Sequence, residues 1–311
     1  MTADSGAAKK PRTDPWYVRY TLIGLTLTIV GFLIVVPLLS VFWQAFQMDK
    51  VVAANSLHDV LSQFGSSAKD YWNNLFADPD TVHSIFLTLV VAPVAVALNT
   101  VFGVAAAYTI ARFRFPGRTI LTTLIDLPFS VSPVVAGLVF VLLFGLQAPL
   151  GAWLKDHGYQ VIFAAPGLVL ATAFVTFPFV ARELIPVLEA HGPEEEIAAR
   201  SLGASGWQMF WRITLPNIQW GLLYGIILCS ARAMGEFGAI YVVSGRIGGR
   251  TDTMPLRVEK LFQEYNQPAA FALASLLTMF ALVSLLLKVV VERRMRAEQT
   301  RPTQVAEKVG V

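Results

Sequence analysis

Residues 192–216 read GPEEEIAARSLGASGWQMFWRITLP, a long polar-rich segment with apolar runs of membrane length on both sides. The residue order predicts two short helices hinged at a glycine. Pro193 suits a first helical position, where its missing N–H costs nothing. Glu194, Glu195 and Glu196 fill the first turn, where the helix dipole favours negative charge. Glu196 and Arg200 stand four apart with the acid first, the better order for a helical ion pair. Gly203 falls where a left-handed C-terminal cap is wanted. A second helix is expected from about Ser205, ending before Pro216, whose ring and missing N–H oppose an uninterrupted helix.

The surrounding chain has the composition of an all-α polytopic membrane protein. Of its 311 residues 55% are hydrophobic and only 14% charged, and the mean hydropathy is +0.58. The lone cysteine, Cys229, lies inside an apolar run, so an intrachain disulfide is impossible. His58, His83, His157 and His191 are scattered, with none at metal-ligand spacing. No GxxxxGK[ST] phosphate loop is present, so any ATP that drives this chain is handled by another polypeptide.

Six spans are expected. The first, Leu22 to Phe46, follows a basic stretch holding Lys9, Lys10, Arg12 and Arg19; it is too long for a signal-peptide core, and Pro37 marks a kink. The connection from Gln47 to Asp80 carries Leu57, Val60, Leu61 and Phe64, then Tyr71, Trp72, Leu75 and Phe76, which predicts short amphipathic helices at the interface. The remaining spans are placed at Ile85–Ile110, Leu121–Leu146, Ile162–Ala181, Ile218–Val243 and Ala269–Val291. Basic residues concentrate at both ends of the chain, at Arg112–Arg118 and at Arg182–Arg212, all on one side under the positive-inside rule. The 192–216 loop therefore comes out on the cytoplasmic side with both termini. On the other side lies an outer loop with Arg246, Arg250, Arg257 and Lys260.

Few polar residues fall within the spans. Asn99 is expected to be an interhelical hydrogen-bond donor. The third span opens IDLPFSVSPVVAGL, and Pro128 and Pro133 predict a broken helix facing the bundle interior, with Asp126 beside the break. The fifth contains CSARAMGEFGAIYVVSG. Arg232 and Glu236 can pair there on one helical face, with Asp126 as a candidate third partner. Gly235 and Gly238 would let a neighbouring helix approach. A packed structural pair and a gate on a translocation path both account for Arg232 and Glu236.

Ala198-Ala199, Gly203, Ile213 and Leu215-Pro216 stand at the spacing of the EAA loop carried by membrane subunits of ABC importers. The position of that motif's glutamate holds Ile197. RAMGEFGA followed by VVSG resembles the oxyanion-importing branch, and TDTMPLRVEKLFQEYNQPAAFALASLL together with IDLPFSVSPVVAGL resembles the W-type permeases of sulfate/thiosulfate importers. The resemblance covers about His83 to Val291. It implies a type I importer (MetI-like) permease fold and no enzymatic activity. Implied partners are a T-type sulfate permease subunit, a cytoplasmic ATPase dimer holding ATP and Mg, and a periplasmic sulfate/thiosulfate-binding protein, with no nucleic acid. On this resemblance Glu196, Ala198, Ala199, Gly203, Ala204 and Ser205 are the ATPase-coupling residues; on the intramembrane charges, Arg232, Gly235, Glu236 and Asp126 are the expected path or gate residues. Hydropathy and charge together with the resemblance divide the chain into a cytoplasmic tail at 1–19, a first span at 20–46, a periplasmic connection at 47–80, a permease core at 81–292 and a cytoplasmic tail at 293–311. The membrane is the bacterial inner membrane. The outer basic loop would face the binding protein.

Other classes explain less. A secondary transporter predicts inverted internal repeats, which the sequence does not display. An intramembrane enzyme needs a nucleophile with its base, and neither Cys229 nor Ser230 has a histidine nearby in sequence. A molybdate or tungstate permease shares the GEFGA stretch and is the nearest alternative.

Overall fold

The computed structural model describes residues 16–46 and 57–309, and every regular element among them is helical. In chain order these are α1 Trp16–Ala45, α2 Leu57–Phe76, α3 Pro79–Arg112, α4 Arg118–Ser130, α5 Pro133–Phe144, α6 Pro149–Asp156, α7 Ala165–His191 and α8 Glu194–Ser201. They are followed by α9 Gly206–Met209, α10 Leu215–Met234, α11 Gly238–Ser244, α12 Met254–Gln263 and α13 Gln267–Val309. Five stretches are long and apolar enough to cross a bilayer: α1, α3, α7, the continuous run Gly206–Met234, and Gln267–Arg294 of α13. The third expected span is instead the pair α4 and α5, bent by 108°. Counting that pair as one broken span gives six.

The centre of the bundle is α3, α7 and α10. Small residues set how closely they approach: a Cβ on Gly103 would meet Val180 at 3.0 Å, and one on Gly221 would meet Val187 at 2.9 Å. Asn99 ties all three helices, donating to Ala173 O (3.0 Å) and Thr176 Oγ1 (2.8 Å) on α7 and lying 3.7 Å from Cys229 Sγ on α10. The interhelical role expected for Asn99 is thus what the structure contains.

Two breaks create a second layer. α4 ends at Ser130, before Pro133, and α10 ends at Gly235; the short helices beyond them, α5 and α11, pack on each other. A Cβ on Gly137 would stand 2.8 Å from Ala239 O, so the α5–α11 contact requires glycine there. Ala136, Ala239 and Val243 then pack with Ala171 and Val175 of α7. At the breaks Ser132, Gly235 and Phe237 are exposed on this chain and Glu236 is buried, so the unwound backbone must meet water or another protein rather than lipid.

Several sequence expectations are corrected here. The fifth span is not one helix to Val243, because the chain unwinds over Gly235–Phe237. The fourth runs ten residues past Ala181 to His191, which moves Arg182 from a loop into a helix. Among its described residues the connection before α3 forms one helix, α2, with Tyr71 and Leu75 buried against α13, Phe46 stacked on Tyr71 at 4.7 Å, and Trp72 and Phe76 exposed. The side chains of Leu57, Val60, Leu61 and Phe64 lie outside the described residues. α13 continues without a break through the basic stretch that begins at Arg293.

Candidate coupling loop and membrane-embedded charges

In the 192–216 loop, α8 begins after Pro193, which takes the N-cap position, and its acids occupy the first turn. Leu202 closes the helix and Gly203 adopts φ +86°, with its N–H bonding Arg200 O at 3.0 Å and that of Ala204 bonding Ala199 O at 3.0 Å. Ser205 caps α9 through a reciprocal box: its Oγ accepts from Gln208 N at 3.3 Å, and Gln208 Oε1 accepts from Ser205 N at 3.0 Å. The second helix does not stop before Pro216, however. A π turn at Phe210–Thr214 carries it into α10, with Leu215 N bonding Phe210 O. The wider turn accommodates a residue that has no N–H to give, so the loop and the fifth span form one rod.

Glu196 does not pair with Arg200. It turns inward, is 8% exposed, and receives Arg112 Nε at 3.0 Å and Nη2 at 3.1 Å, one on each carboxylate oxygen. Thr214 Oγ1 adds a third bond at 2.9 Å, and Arg112 Nη1 reaches Leu188 O at 2.8 Å. Glu195 accepts from Asn217 Nδ2 at 2.7 Å. One guanidinium thus joins the ends of α3 and α7 to the loop, and the two acids join the loop to the base of α10. The pairing is local in space and remote in sequence: Arg112 and Glu196 are 84 residues apart. The opposite face of the loop is apolar and open, with Ile197 60%, Leu202 89%, Trp207 71% and Trp211 50% exposed. Ala198, Gly203 and Ser205 are exposed and Ala199 and Ala204 half-buried.

Arg232 and Glu236 do meet, Nη1 to Oε2 at 2.7 Å, at an angle that makes an ion pair but no hydrogen bond. The carboxylate is wholly buried and the arginine 35% exposed. Glu236 Oε1 also accepts Ala239 N at 3.0 Å, so the side chain caps α11 across the Gly235 break. A central charge facing lipid costs about 2.5–3.5 kcal/mol on the lenient insertion scale, which selects this inward arrangement. Asp126 is not the third member. It holds Arg182 in a bidentate pair, at 2.6 and 2.7 Å, with Phe129 beneath the guanidinium at 5.6 Å from its centroid. Sequence reading missed Arg182 because it placed that residue in a loop. Among the described residues no group of His, Cys, Asp and Glu could hold a metal ion.

The outer basic cluster is mostly neutralised from within. Arg257 is buried and bonds Asp78 at 2.5 Å, Arg246 pairs with Glu259 at 2.5 Å, and Lys260 lies 3.5 Å from Asp252. Of the four, only Arg250 has no acidic partner among the described residues. Burial pushes the Asp78 carboxyl up, but bonds from Thr81 and Arg257, the Arg257 charge and the Asp80 N–H outweigh it and hold the group below its ordinary value. A depressed carboxylate contributes stability above its unfolded pKa and loses it as pH falls through the folded one. Thermal melts of Asp78→Asn should therefore lie below wild type at neutral pH, and the two should converge in acid, below about pH 4.

The family profile of the binding-protein-dependent transport system inner membrane component matches residues 99–297. The sulfate transport system permease protein CysW of Escherichia coli K12 is 47% identical over 286 residues, covering 92% of each chain. The Synechocystis protein of the same name is 48% identical, over 89% of this chain and 94% of its own. The chain belongs to the CysW family of membrane permeases. Like other CysW-family members, it is a multi-pass permease subunit of a binding-protein-dependent importer and not itself an enzyme. The E. coli CysT permease is 36% identical over 85% of this chain and 88% of its own. A bacterial ABC transporter that imports alginate shares the fold, with a TM-score of 0.65 at 17% identity over 91% of this chain and 96% of its own.

Proposed function

We propose that this permease forms half of the translocation pore of an ATP-driven importer of sulfate or thiosulfate in the bacterial inner membrane, with both termini in the cytoplasm. The observation that carries the reading is the loop at 192–216: an apolar outward face on a helix bolted to three spans. A membrane protein has no use for Leu202 and Trp207 in water unless another surface covers them. The small residues Ala198, Ala199, Gly203 and Ala204, with the capped Ser205, leave room for that surface, and Glu196 anchors the helix from behind. The occupant is a cytoplasmic ATPase dimer, which supplies the site for ATP and Mg. Closure of that dimer would push the loop, and the bolted spans would move as rigid bodies.

The substrate reading is supported by relatives named as sulfate permeases, and the T-type partner by a similar chain of that type, CysT. Delivery by a periplasmic binding protein is supported by the alginate transporter solved with such a protein bound. Arg232, Gly235, Glu236 and Asp126 are assigned to the path, within a core spanning 81–292. A strain lacking this chain should fail to grow on sulfate or thiosulfate and recover on cysteine. Normal growth on sulfate with lost molybdate uptake would move the substrate to molybdate. Gly203→Asp, placed at φ +86°, should abolish co-purification of the ATPase. Retained co-purification would refute the loop's role.

A further inference from the structure

We propose that Arg182 is a second cationic station on the translocation path, contacting the anion on the cytoplasmic side of Arg232. The inference rests on the importer reading above and adds a residue to it. Arg182 lies nine residues before His191 at the end of α7, roughly 13 Å along the helix axis, and Arg232 lies seventeen residues beyond Leu215, roughly 25 Å along α10. The two helices start inward from the same loop, so the arginines stand at different depths of one bundle.

Arg182 is 57% exposed on the surface of this chain, about two-thirds of the way along the span Ala165–His191. A guanidinium is not left facing lipid, so this face meets water or protein. Its Nε and Nη2 are held by both oxygens of Asp126, and the Phe129 ring lies under the guanidinium. Nη1 makes no hydrogen bond among the described residues. The group is therefore fixed in orientation with one N–H edge presented outward, which suits an oxyanion.

Arg232 repeats the design, with Glu236 as its carboxylate and 35% of its side chain exposed. Pairing each arginine with one acid brings the pair to zero net charge, so an oxyanion is held by the free N–H edge alone and is not trapped. Conduction demands such sites, firm enough to enter and weak enough to leave.

The test uses the whole transporter in proteoliposomes, reading radiolabelled sulfate uptake with molybdate alongside. Variants are Arg182→Gln, Asp126→Asn and the double change. An anion contact predicts at least a tenfold loss of uptake in Arg182→Gln with the subunits still co-purifying, and no recovery in the double variant. Restored uptake in the double variant would show a merely structural pair and overturn the proposal, as would normal uptake by Arg182→Gln. Should Arg182→Gln fail to assemble because Asp126 is stranded, the double variant, which strands no charge, decides alone. A wild-type complex that takes up molybdate and not sulfate corrects the substrate, and the same variants are then read with molybdate.

Discussion

In a Glu196→Ala variant, Arg112 is left buried without its counter-charge at the junction of α3, α7 and the loop. The pair is about nine-tenths buried on both sides, and breaking such a pair from one side costs about 3–5 kcal/mol. The purified complex should melt at a distinctly lower temperature, and transport should fail. The double change Arg112→Leu with Glu196→Leu removes both charges and should recover most of the lost stability, since apolar replacement of a buried pair is often neutral. Uptake should not recover with it, because Thr214 loses its acceptor and Leu188 O its donor, and with them the bolt between loop and spans. Parallel recovery of stability and uptake would show that the bolt matters only for folding.

Glu236→Ala should be nearly as costly, since Ala239 N loses its cap and Arg232 its partner in one step. Glu236→Gln separates the two roles. The amide oxygen can still accept from Ala239 N, so α11 stays in place and the complex assembles. The charge is gone and Arg232 keeps no counter-charge within the bundle, so uptake should fall at least about tenfold. Arg232→Gln should likewise lose uptake while the complex still reaches the membrane. Wild-type uptake by either glutamine variant would make the pair a packing device.

How far the sequence carried this reading depended on the range of the interactions. Glycine at 203, the acids at 194–196 and the Ser205–Gln208 box act within a few residues, and local backbone geometry follows from them. The break at Pro128–Pro133 was legible for the same reason, though its 108° bend was not. Pro216 misled, because a proline disfavours an ordinary helical turn and only the neighbouring π turn reveals how the helix passes it. The partner of Glu196 was misassigned because a single sequence ranks near neighbours first, and that of Asp126 because Arg182 was read as part of a loop rather than of α7. Arg200 is four residues from Glu196, and Arg112 is 84 away.

The chain alone determined that it is a membrane protein and where its apolar segments lie, since lipid imposes length and hydropathy on every span. Tertiary packing decided which charge meets which. A buried guanidinium is satisfied by whatever carboxylate the folded bundle brings within reach, and contacts such as Arg112–Glu196 and Arg182–Asp126 exist only after α3, α4 and the loop have closed around α7.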